Sequence, residues 1–328
     1  MHKRPRRAIL FTPGDNEHKI QFAATLEVDA VCFDLDSSVV PSRKIDARYL
    51  TAQALRTLDL GGSERLVRIN PVKTLDAESD LLAILPAHPD GIVVPQVENA
   101  AQLQWVSRKI TTFEEANGWQ LGGIHLLAAL ESAQAIINLQ AICRADARLV
   151  ALLLGAEDLA LNIGAVRTRA AWELLYARSA IVLHAAAFDL QAIDMANSDF
   201  HDLAGLRQEA RRGAELGFLG KQVLHPDQVA PVQEIFTPDQ ETIAEAENLL
   251  ALYQQQHAEG VGQFELDGII VDAQLIRSAE GLLARAEAAG IYVPRVDPVE
   301  DEPGNGLKGN WLQQLWAWCR RGENGQGG

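Results

Sequence analysis

Three shortages in the sequence each exclude a class of protein. The chain has only three cysteines among its 328 residues. Their odd number and wide spacing, at Cys32, Cys143 and Cys319, predict neither a disulfide framework nor a zinc site. No apolar stretch approaches the roughly 20 residues that a membrane-spanning helix needs, and the apolar part of the basic N-terminus is too short for a secretion signal. We therefore expect a soluble, cytoplasmic protein.

Basic residues are also in short supply. Lysine and arginine number 29 against 44 aspartate and glutamate residues, which gives a formal net charge of −15. Because nucleic acids and anionic membrane surfaces bind to basic faces, this balance excludes either of them as the main partner. Apolar residues, in contrast, make up 48% of the sequence, which is enough for a sizeable core. The length suits one large α/β domain or two ordinary ones.

Eight short apolar runs, each followed by a helical segment, dominate the chain up to Pro226. Eight such units in about 230 residues match the usual size of a (β/α)8 TIM barrel. The alternative is an open doubly wound sheet, which we disfavour because no Gly-x-Gly-x-x-Gly motif follows the first run. The eight runs begin at Ala8, Ala30, Leu66, Gly91, Ile124, Leu149, Leu190 and Phe218.

After the barrel, predicted over residues 1–235, the sequence changes character. Residues 236–292 carry helical patterns on both sides of a short extended piece and predict a C-terminal helical segment. Residues 293–328 begin as a linker rich in proline, glycine and acids and end in a Trp-rich tail. We favour the interpretation that the tail is a helix docked on its own barrel. The alternative is a helix that binds a partner protein or a membrane surface. One face of that helix would carry Trp311, Leu312, Leu315, Trp316 and Cys319.

Polar side chains cluster at the points where the predicted strands end. In a (β/α)8 barrel these carboxyl ends meet at one rim, where the active sites of such barrels lie. The sequence therefore predicts an active site built from this rim. Its members are Asp34, Asp36, Arg68, Asn70, Gln96, Glu131, Asp158, Asp194, Lys221 and His225.

Glu131 and Asp158 follow adjacent predicted strands and form a candidate magnesium pair. Mg²⁺ prefers one or two protein carboxylates and keeps its other positions for water and substrate oxygens. The residues alone leave open that both acids only cap the helices that follow. Arg68 has two readings as well, because a guanidinium at this rim can capture a substrate carboxylate or form a salt bridge within the rim.

Motifs along most of the chain resemble those of one known family, the citrate lyase beta-subunit-like family of the HpcH/HpaI aldolase superfamily. The resemblance runs from Arg6 to about Gly290, and the order and spacing of the motifs make it specific. The matching pieces are RRAILFTPGD from Arg6, DAVCFDL from Asp29, VPSRKIDAR from Val40, LVRINP around Arg68, AALESA around Glu131, LGAEDLA around Asp158, LGFLGKQVLHPDQV from Leu216, FTP from Phe236 and DGIIVD from Asp267.

The resemblance implies a (β/α)8 barrel that makes or breaks a carbon–carbon bond next to a thioester. The expected activity is a Mg²⁺-dependent lyase or Claisen-type reaction on a short β-hydroxyacyl-CoA of the malyl, citramalyl or citryl type, giving acetyl-CoA and a 2-oxo acid. The alternatives are a citrate lyase beta subunit acting on an acyl-carrier-protein thioester, or a malyl-CoA thioesterase. A non-catalytic assembly protein is a third reading, from another class.

The same resemblance assigns roles to the rim. Glu131 and Asp158 would bind Mg²⁺, and Arg68 would steady charge on the substrate oxygens. Asp272 would serve as the general acid/base in a neighbouring subunit's site, which implies a homo-oligomer, commonly a trimer among relatives. The alternative for Asp272 is a helix N-cap.

Further positions are expected to contact the acyl-CoA. Gly155 and Ala156 are expected at the substrate. Lys19, Arg43 and Lys44 match basic positions of the family and would meet the CoA phosphates, or else decorate exposed helix ends.

Two departures from the family pattern fall on the rim. Ser37, after Asp36, stands where the family usually has an aspartate that follows a glutamate, and Gln96 stands where lysine is frequent. One negative and one positive charge are thus lost together, and we hypothesise that the two losses compensate. The departures leave the magnesium site plausible and place the substrate in question.

Overall fold

The computed structural model describes residues 4–266 and 268–293 of the chain. Eight parallel strands follow one another around a closed barrel, and β1 pairs with β8 to complete it. This closure confirms the predicted (β/α)8 fold and excludes the open sheet. The strands are β1 (Ala8–Pro13), β2 (Ala30–Asp34), β3 (Glu64–Arg68), β4 (Gly91–Val94), β5 (His125–Leu130), β6 (Leu149–Leu154), β7 (Gln191–Asp194) and β8 (Gly220–Val223).

Helices lie between the strands and pack around them. The first ten are α1 (Glu17–Ala23), α2 (Lys44–Thr57), α3 (Leu75–Ile84), α4 (Ala100–Asn117), α5 (Ala133–Ile137), α6 (Leu139–Cys143), α7 (Ala156–Ile163), α8 (Leu175–Ala187), α9 (Leu203–Leu216) and α10 (Val229–Phe236).

Two helical regions differ from the sequence expectation. The single helix expected after β5 is divided into α5 and α6 at Asn138, whose side chain donates a hydrogen bond to the carbonyl of Glu98 at 2.7 Å. The helix α7 was not expected, because eight residues are too few for a helical period to stand out. It ends at Gly164, whose φ of +70° is a left-handed cap.

The barrel has two apolar layers. One fills its interior and includes Ile9, Cys32, Leu66 and Leu153. The other lies between the outer face of the strands and the helices. Both layers follow from strands that are apolar on both faces, as buried parallel strands are. Cys32 and Cys143 are buried and unbonded, and burial raises the pKa of both thiols, so neither is a reactive nucleophile.

The chain divides into two compact units, of which the barrel is Arg6–Phe236. The second unit contains α11 (Gln240–Ala258), β9 (Phe264–Leu266), β10 (Ile269–Val271) and α12 (Ala273–Ala288). Its core joins Ile243 and Leu249 of α11 to Ala279 and Leu282 of α12.

The short extended piece expected over residues 264–272 is an antiparallel hairpin, β9 paired with β10. A φ of +80° at Gly268 allows the tight turn between the two strands. The Trp-rich tail, including Trp311 and Trp316, lies outside the described residues. Within the described ranges, every helix is too short or too polar to cross a membrane.

Candidate active site

The barrel brings the predicted rim residues to its carboxyl-terminal mouth. Asp34 and Arg68 are the last residues of β2 and β3, and Gln96 lies just after β4. Glu131 directly follows β5, and Asp158 lies in the first turn of α7, after β6. Five consecutive strands therefore deliver polar side chains to one side of the mouth.

Arg68 and Asp34 form a two-point salt bridge inside this rim. The Arg68 Nε and Nη2 atoms donate to the two carboxylate oxygens of Asp34, each at 2.7 Å. The guanidinium carbon also lies 5.0 Å from the centre of the Phe11 ring. Burial alone would raise the pKa of Asp34, whose side chain is 1% exposed, but the Arg68 bonds and charge bring it below its usual value. The structure therefore shows Arg68 in the second of its two predicted roles, a salt bridge within the rim.

That salt bridge leaves one end of Arg68 free. Its Nη2 atom makes a second hydrogen bond, to Ser37 Oγ at 2.6 Å. In the part of the chain that the structure describes, Nη1 has no hydrogen-bond partner. Asp34 and Ser37 thus hold the guanidinium in place while Nη1 stays available to a ligand.

The loop after β2 is held from both sides. The Asp34 carboxylate accepts hydrogen bonds from the backbone N–H groups of Asp36 and Ser38, both at 2.9 Å. Lys44 Nζ donates to the carbonyls of Leu35 and Asp36 and to Asn70 Oδ1, each at 2.7 Å. An ammonium has three hydrogens, and these three bonds use all of them. Lys44, expected at the CoA phosphates or at an exposed helix end, holds this loop instead.

Glu131 has a very different environment. Burial raises the pKa of this carboxyl to about 7; Arg68 opposes that shift, and the charges of Asp158 and Asp36 add to it. A backbone hydrogen bond from Gln96 lowers the pKa in turn. No ion pair to Glu131 or Asp158 occurs within the described residues. A cation placed between the two acids would favour the charged form of both.

Gly155 makes room for Glu131. A Cβ atom added to Gly155 would lie 2.3 Å from Glu131 Cγ, closer than any side chain can pack. The N–H of Gly155 donates to the Leu130 carbonyl at 3.0 Å, so it is not free for a substrate. Ala156, the other expected substrate contact, is the first residue of α7, where helix N–H groups have no partner within the helix.

The backbone at Gln96 is strained. Its φ of +49° is uncommon for a residue with a side chain, and such strain concentrates at functional sites. In this conformation the Gln96 carbonyl accepts a hydrogen bond from Gln102 Nε2 at 3.0 Å, and the Gln96 backbone amide lowers the pKa of Glu131. The backbone of Gln96, rather than its side chain, therefore supports the acid.

The acids of the mouth fit a magnesium ion. The described residues contain no group of three or more histidine, cysteine or acidic side chains arranged around a metal. Two carboxylates with open positions are nevertheless a donor set that Mg²⁺ accepts and that most transition metals do not prefer.

A cavity of about 360 Å³ opens beside the end of β1. It is lined by Phe11 and Pro13, by His18, Lys19 and Phe22 of α1, and by Leu224 to Asp227 after β8. Lys19 and the two histidines, His18 and His225, bring donors for an anion to apolar walls. Arg43, in contrast, pairs with Asp15 at 2.8 Å.

Asp272 lies in the second unit, at the N-cap of α12. Its Oδ1 atom accepts the backbone N–H groups of Gln274 at 2.9 Å and Leu275 at 3.0 Å. Asp272 is therefore the N-cap of α12, which is the alternative role expected for it. Both bonds fall on Oδ1, so Oδ2 has no recorded partner in the described segments. The expected reach of Asp272 into a neighbouring subunit stays a prediction.

The remaining rim residues have structural partners. Asp194 is bound by Arg178 at 2.7 Å, and the fully buried Lys221 donates to Met195 O and Glu209. Sequence reasoning missed Ser37 and Phe11 as partners of Arg68. The only sequence signal for Phe11 was its place in β1, whose end lies beside two strand ends that carry polar residues.

Comparisons with known proteins agree with this architecture. The model of the HpcH/HpaI aldolase/citrate lyase family matches residues 7–226. The mitochondrial citramalyl-CoA lyase of Rattus norvegicus is 37% identical over 292 residues, which are 86% of each chain. Citrate lyase subunit beta of Leuconostoc mesenteroides subsp. cremoris is 34% identical over 288 residues, 88% of this chain and 95% of that one.

A solved structure extends the comparison. Protein CitE from Mycobacterium tuberculosis, in complex with magnesium, acetoacetate and coenzyme A, is 30% identical, with a TM-score of 0.71. The match covers 87% of this chain and 100% of that one. Together these matches confirm the family resemblance drawn from the sequence motifs.

Proposed function

Because this chain belongs to the HpcH/HpaI aldolase/citrate lyase family, we propose that it is a Mg²⁺-dependent carbon–carbon lyase. It cleaves a short β-hydroxyacyl-CoA into acetyl-CoA and a 2-oxo acid, or joins the two in the reverse direction. The observation that carries the proposal is a pair of acids at the barrel mouth, Glu131 and Asp158, which have no ion-pair partner among the described residues and of which Glu131 lies within reach of the charge of Arg68. Citramalyl-CoA is the first substrate to test, given the citramalyl-CoA lyase relative. The composition supports a cytoplasmic setting.

Glu131 and Asp158 would hold the metal. When bound, Mg²⁺ supplies Lewis-acid polarisation of the substrate oxygens that face the mouth. The protein's own contribution is a pair of acids that have no ion-pair partner in the described part of the chain, in surroundings that raise the pKa of Glu131. That arrangement favours binding of an external cation.

Arg68 would meet the charge that develops on the reacting oxygen. Asp34 fixes its Nε and Nη2 atoms, so Nη1 is preorganised and needs no reorientation during the reaction. The first turn of α7 would add the N–H of Ala156 as a donor to the substrate carboxylate. Gly155 would serve by keeping Glu131 in position.

Asp272 would move the proton at the carbon next to the thioester, from a neighbouring copy of the chain. Its Oδ2 atom, which has no hydrogen-bond partner within the described ranges, is available for this task because the N-cap bonds use Oδ1. The proposal requires a homo-oligomer, and a trimer is the expected form. Mixing Asp158→Asn protein with Asp272→Asn protein, after dissociation and reassembly, should restore part of the activity that each variant lacks. No recovery in a mixture that light scattering shows to be reassembled would contradict a shared site.

The acyl-CoA would approach from the side of β1. Lys19, in the cavity beside the mouth, is the first candidate for a CoA phosphate. Arg43 would join it by leaving its exposed pair with Asp15. Lys44 is not included, because its three hydrogens are already used.

A substrate panel tests the proposed function. Purified protein with Mg²⁺ is given malyl-, citramalyl- and citryl-CoA and citryl-acyl-carrier protein, and free thiol and 2-oxo acid are measured separately. A 2-oxo acid without thiol supports the lyase. Thiol without a 2-oxo acid would mean a thioesterase, and activity only with an acyl-carrier-protein thioester would mean a citrate lyase beta subunit. Neither product, with Mg²⁺ binding confirmed by calorimetry, would favour the non-catalytic reading.

A further inference from the structure

The hydrogen bonds of Arg68 divide its guanidinium into a used side and a free side. The group has five N–H donors, one on Nε and two on each Nη atom. The Nε hydrogen and one Nη2 hydrogen go to Asp34, and the other Nη2 hydrogen goes to Ser37 Oγ. Among the described residues, the two hydrogens of Nη1 are therefore the only ones of Arg68 that have no partner and remain for a ligand.

Ser37 decides how Arg68 can bind an anion. Without it, one Nη1 and one Nη2 hydrogen would form an open fork, the geometry with which arginine grips a carboxylate at two points. With Ser37 in place, the Nη2 half of that fork is occupied. A substrate oxygen can then be met by Nη1 alone.

We propose that Ser37 is a positioning residue that restricts Arg68 to a one-atom contact with the substrate through Nη1. This inference rests on the proposed function and assigns Arg68 to the reacting oxygen rather than to a two-point grip on the substrate carboxylate. A two-point grip would bind the substrate in its ground state without helping the chemical step.

The surroundings of Ser37 support a role in positioning. Ser37 itself is exposed, so its hydroxyl could be satisfied by water and has no need of a protein partner. Its neighbours on both sides are nevertheless held: the N–H groups of Asp36 and Ser38 by Asp34, and the Asp36 carbonyl by Lys44. This tethered loop carries the hydroxyl to within 2.6 Å of Nη2.

It also matters that the Ser37 side chain is neutral. Asp34 is the only carboxylate hydrogen-bonded to Arg68 among the described residues. A neutral hydroxyl fills the fork without adding a second negative charge beside the guanidinium. The positive charge of Arg68 therefore remains available to the substrate.

The kinetic test compares Ser37→Ala with Ser37→Thr. Removing the hydroxyl opens the fork, so we expect kcat for citramalyl-CoA to fall about tenfold and KM to fall as well. Ser37→Thr keeps a hydroxyl and should stay within about threefold of the original enzyme in both constants. Ser42→Ala is the matched control: this exposed serine in the same region has no hydrogen-bond partner for its hydroxyl among the described residues, so the substitution should change neither constant. A raised or unchanged KM in Ser37→Ala would overturn the proposal.

A binding test separates this proposal from the proposed function. Pyruvate is titrated by calorimetry, with Mg²⁺ present, into the original protein, Ser37→Ala, Arg68→Lys and the double variant. We expect Ser37→Ala to bind pyruvate about threefold to tenfold more tightly, and the gain to vanish in the Arg68→Lys background, since lysine has no fork. If Ser37→Ala binds pyruvate more tightly but the original protein shows no lyase activity, the role of Ser37 is upheld and the proposed function is overturned. Equal affinities in an active enzyme would overturn the role of Ser37 alone.

Discussion

The charged side chains on two sides of the barrel mouth differ in whether the protein pairs them. At the ends of β2 and β3, Asp34 and Arg68 pair at two points, and the pKa of Asp34 lies below its usual value. At the ends of β5 and β6, Glu131 and Asp158 have no cation partner in the described part of the protein, and the pKa of Glu131 rises to about 7. The paired side is preorganised by the protein itself. The unpaired side is the one at which we propose that an external cation, Mg²⁺, binds.

Removing an acid from the unpaired side should have the largest effect. We expect Asp158→Asn to lower Mg²⁺-dependent lyase activity by about a thousandfold or more, because the metal would lose one of its two proposed protein ligands. Circular dichroism should show an intact fold, since Asp158 is exposed and its side chain makes no hydrogen bond or ion pair with any residue that the structure describes. Glu157→Gln is the matched control: among the described residues its carboxylate pairs only with Arg167, at 3.0 Å on the surface, so activity should persist. Unchanged activity in Asp158→Asn would remove it from the site.

Breaking the paired side should cost stability as well as activity. Arg68→Ala leaves Asp34 as a buried charge without its cation, so the free energy of unfolding in urea should drop by about 3 kcal/mol. The double variant with Asp34→Asn should recover part of that loss. Arg169→Ala, whose side chain is 92% exposed, should change stability by no more than about 0.5 kcal/mol. A fully stable Arg68→Ala protein would show that the pair is not structural.

The two sides also predict a pH dependence. In the metal-free protein the folded state holds a proton on Glu131 up to about pH 7, whereas the unfolded state loses it near 4.5. The folded state thus binds more protons in this window, and stability should fall as pH rises from about 4.5 to 7. Urea unfolding of Glu131→Gln should show a flatter pH profile.

Glu245 supplies the control for that experiment. Burial, followed by the nearby charges of Glu241 and Asp239, raises the pKa of this carboxyl also to about 7, but it lies on α11 in the second unit. Glu245→Gln should flatten the same pH profile and leave the stabilisation by Mg²⁺ unchanged, whereas Glu131→Gln should abolish that stabilisation. Equal Mg²⁺ responses in the two variants would contradict the metal assignment.

Filling the space beside Glu131 should give a smaller effect. In Gly155→Ala the new methyl group would overlap Glu131 Cγ, so the acid must move, at a cost of about 1–3 kcal/mol in stability. Calorimetry should also show weaker Mg²⁺ binding. Gly62→Ala is the matched control, because a Cβ at that position meets no atom within 4 Å. An Mg²⁺ affinity that is the same in both variants would mean that Gly155 does not support the site.

The smallest effect concerns the two departures from the family pattern. The structure gives them separate partners: the Ser37 hydroxyl binds Arg68, and the Gln96 backbone supports Glu131. If the lost charges compensate, Ser37→Asp and Gln96→Lys should each reduce activity by a few-fold and the double variant by less than their product. Purely additive effects would reject compensation.

The barrel and its acid pair were predictable from the sequence for a clear physical reason. Eight buried strands read as continuous apolar runs, and closure of the barrel forces Glu131 and Asp158, at adjacent strand ends, onto one rim. The partners of the cations were not predictable. Lys44 binds groups on the ends of two strands, and Ser37 meets an arginine 31 residues away, so both contacts depend on the packed loops. The short helix α7 and the hairpin of β9 and β10 have too few residues to reveal a period.

The most direct test of the contrast between the two sides is the release of pyruvate from citramalyl-CoA, followed with and without Mg²⁺. We expect the original protein to release pyruvate rapidly with Mg²⁺ and to release none after chelation. At Mg²⁺ concentrations at which Glu157→Gln is active, Asp158→Asn should release none. Pyruvate release that continues at the same rate after chelation would contradict the assignment of the unpaired acids to a metal.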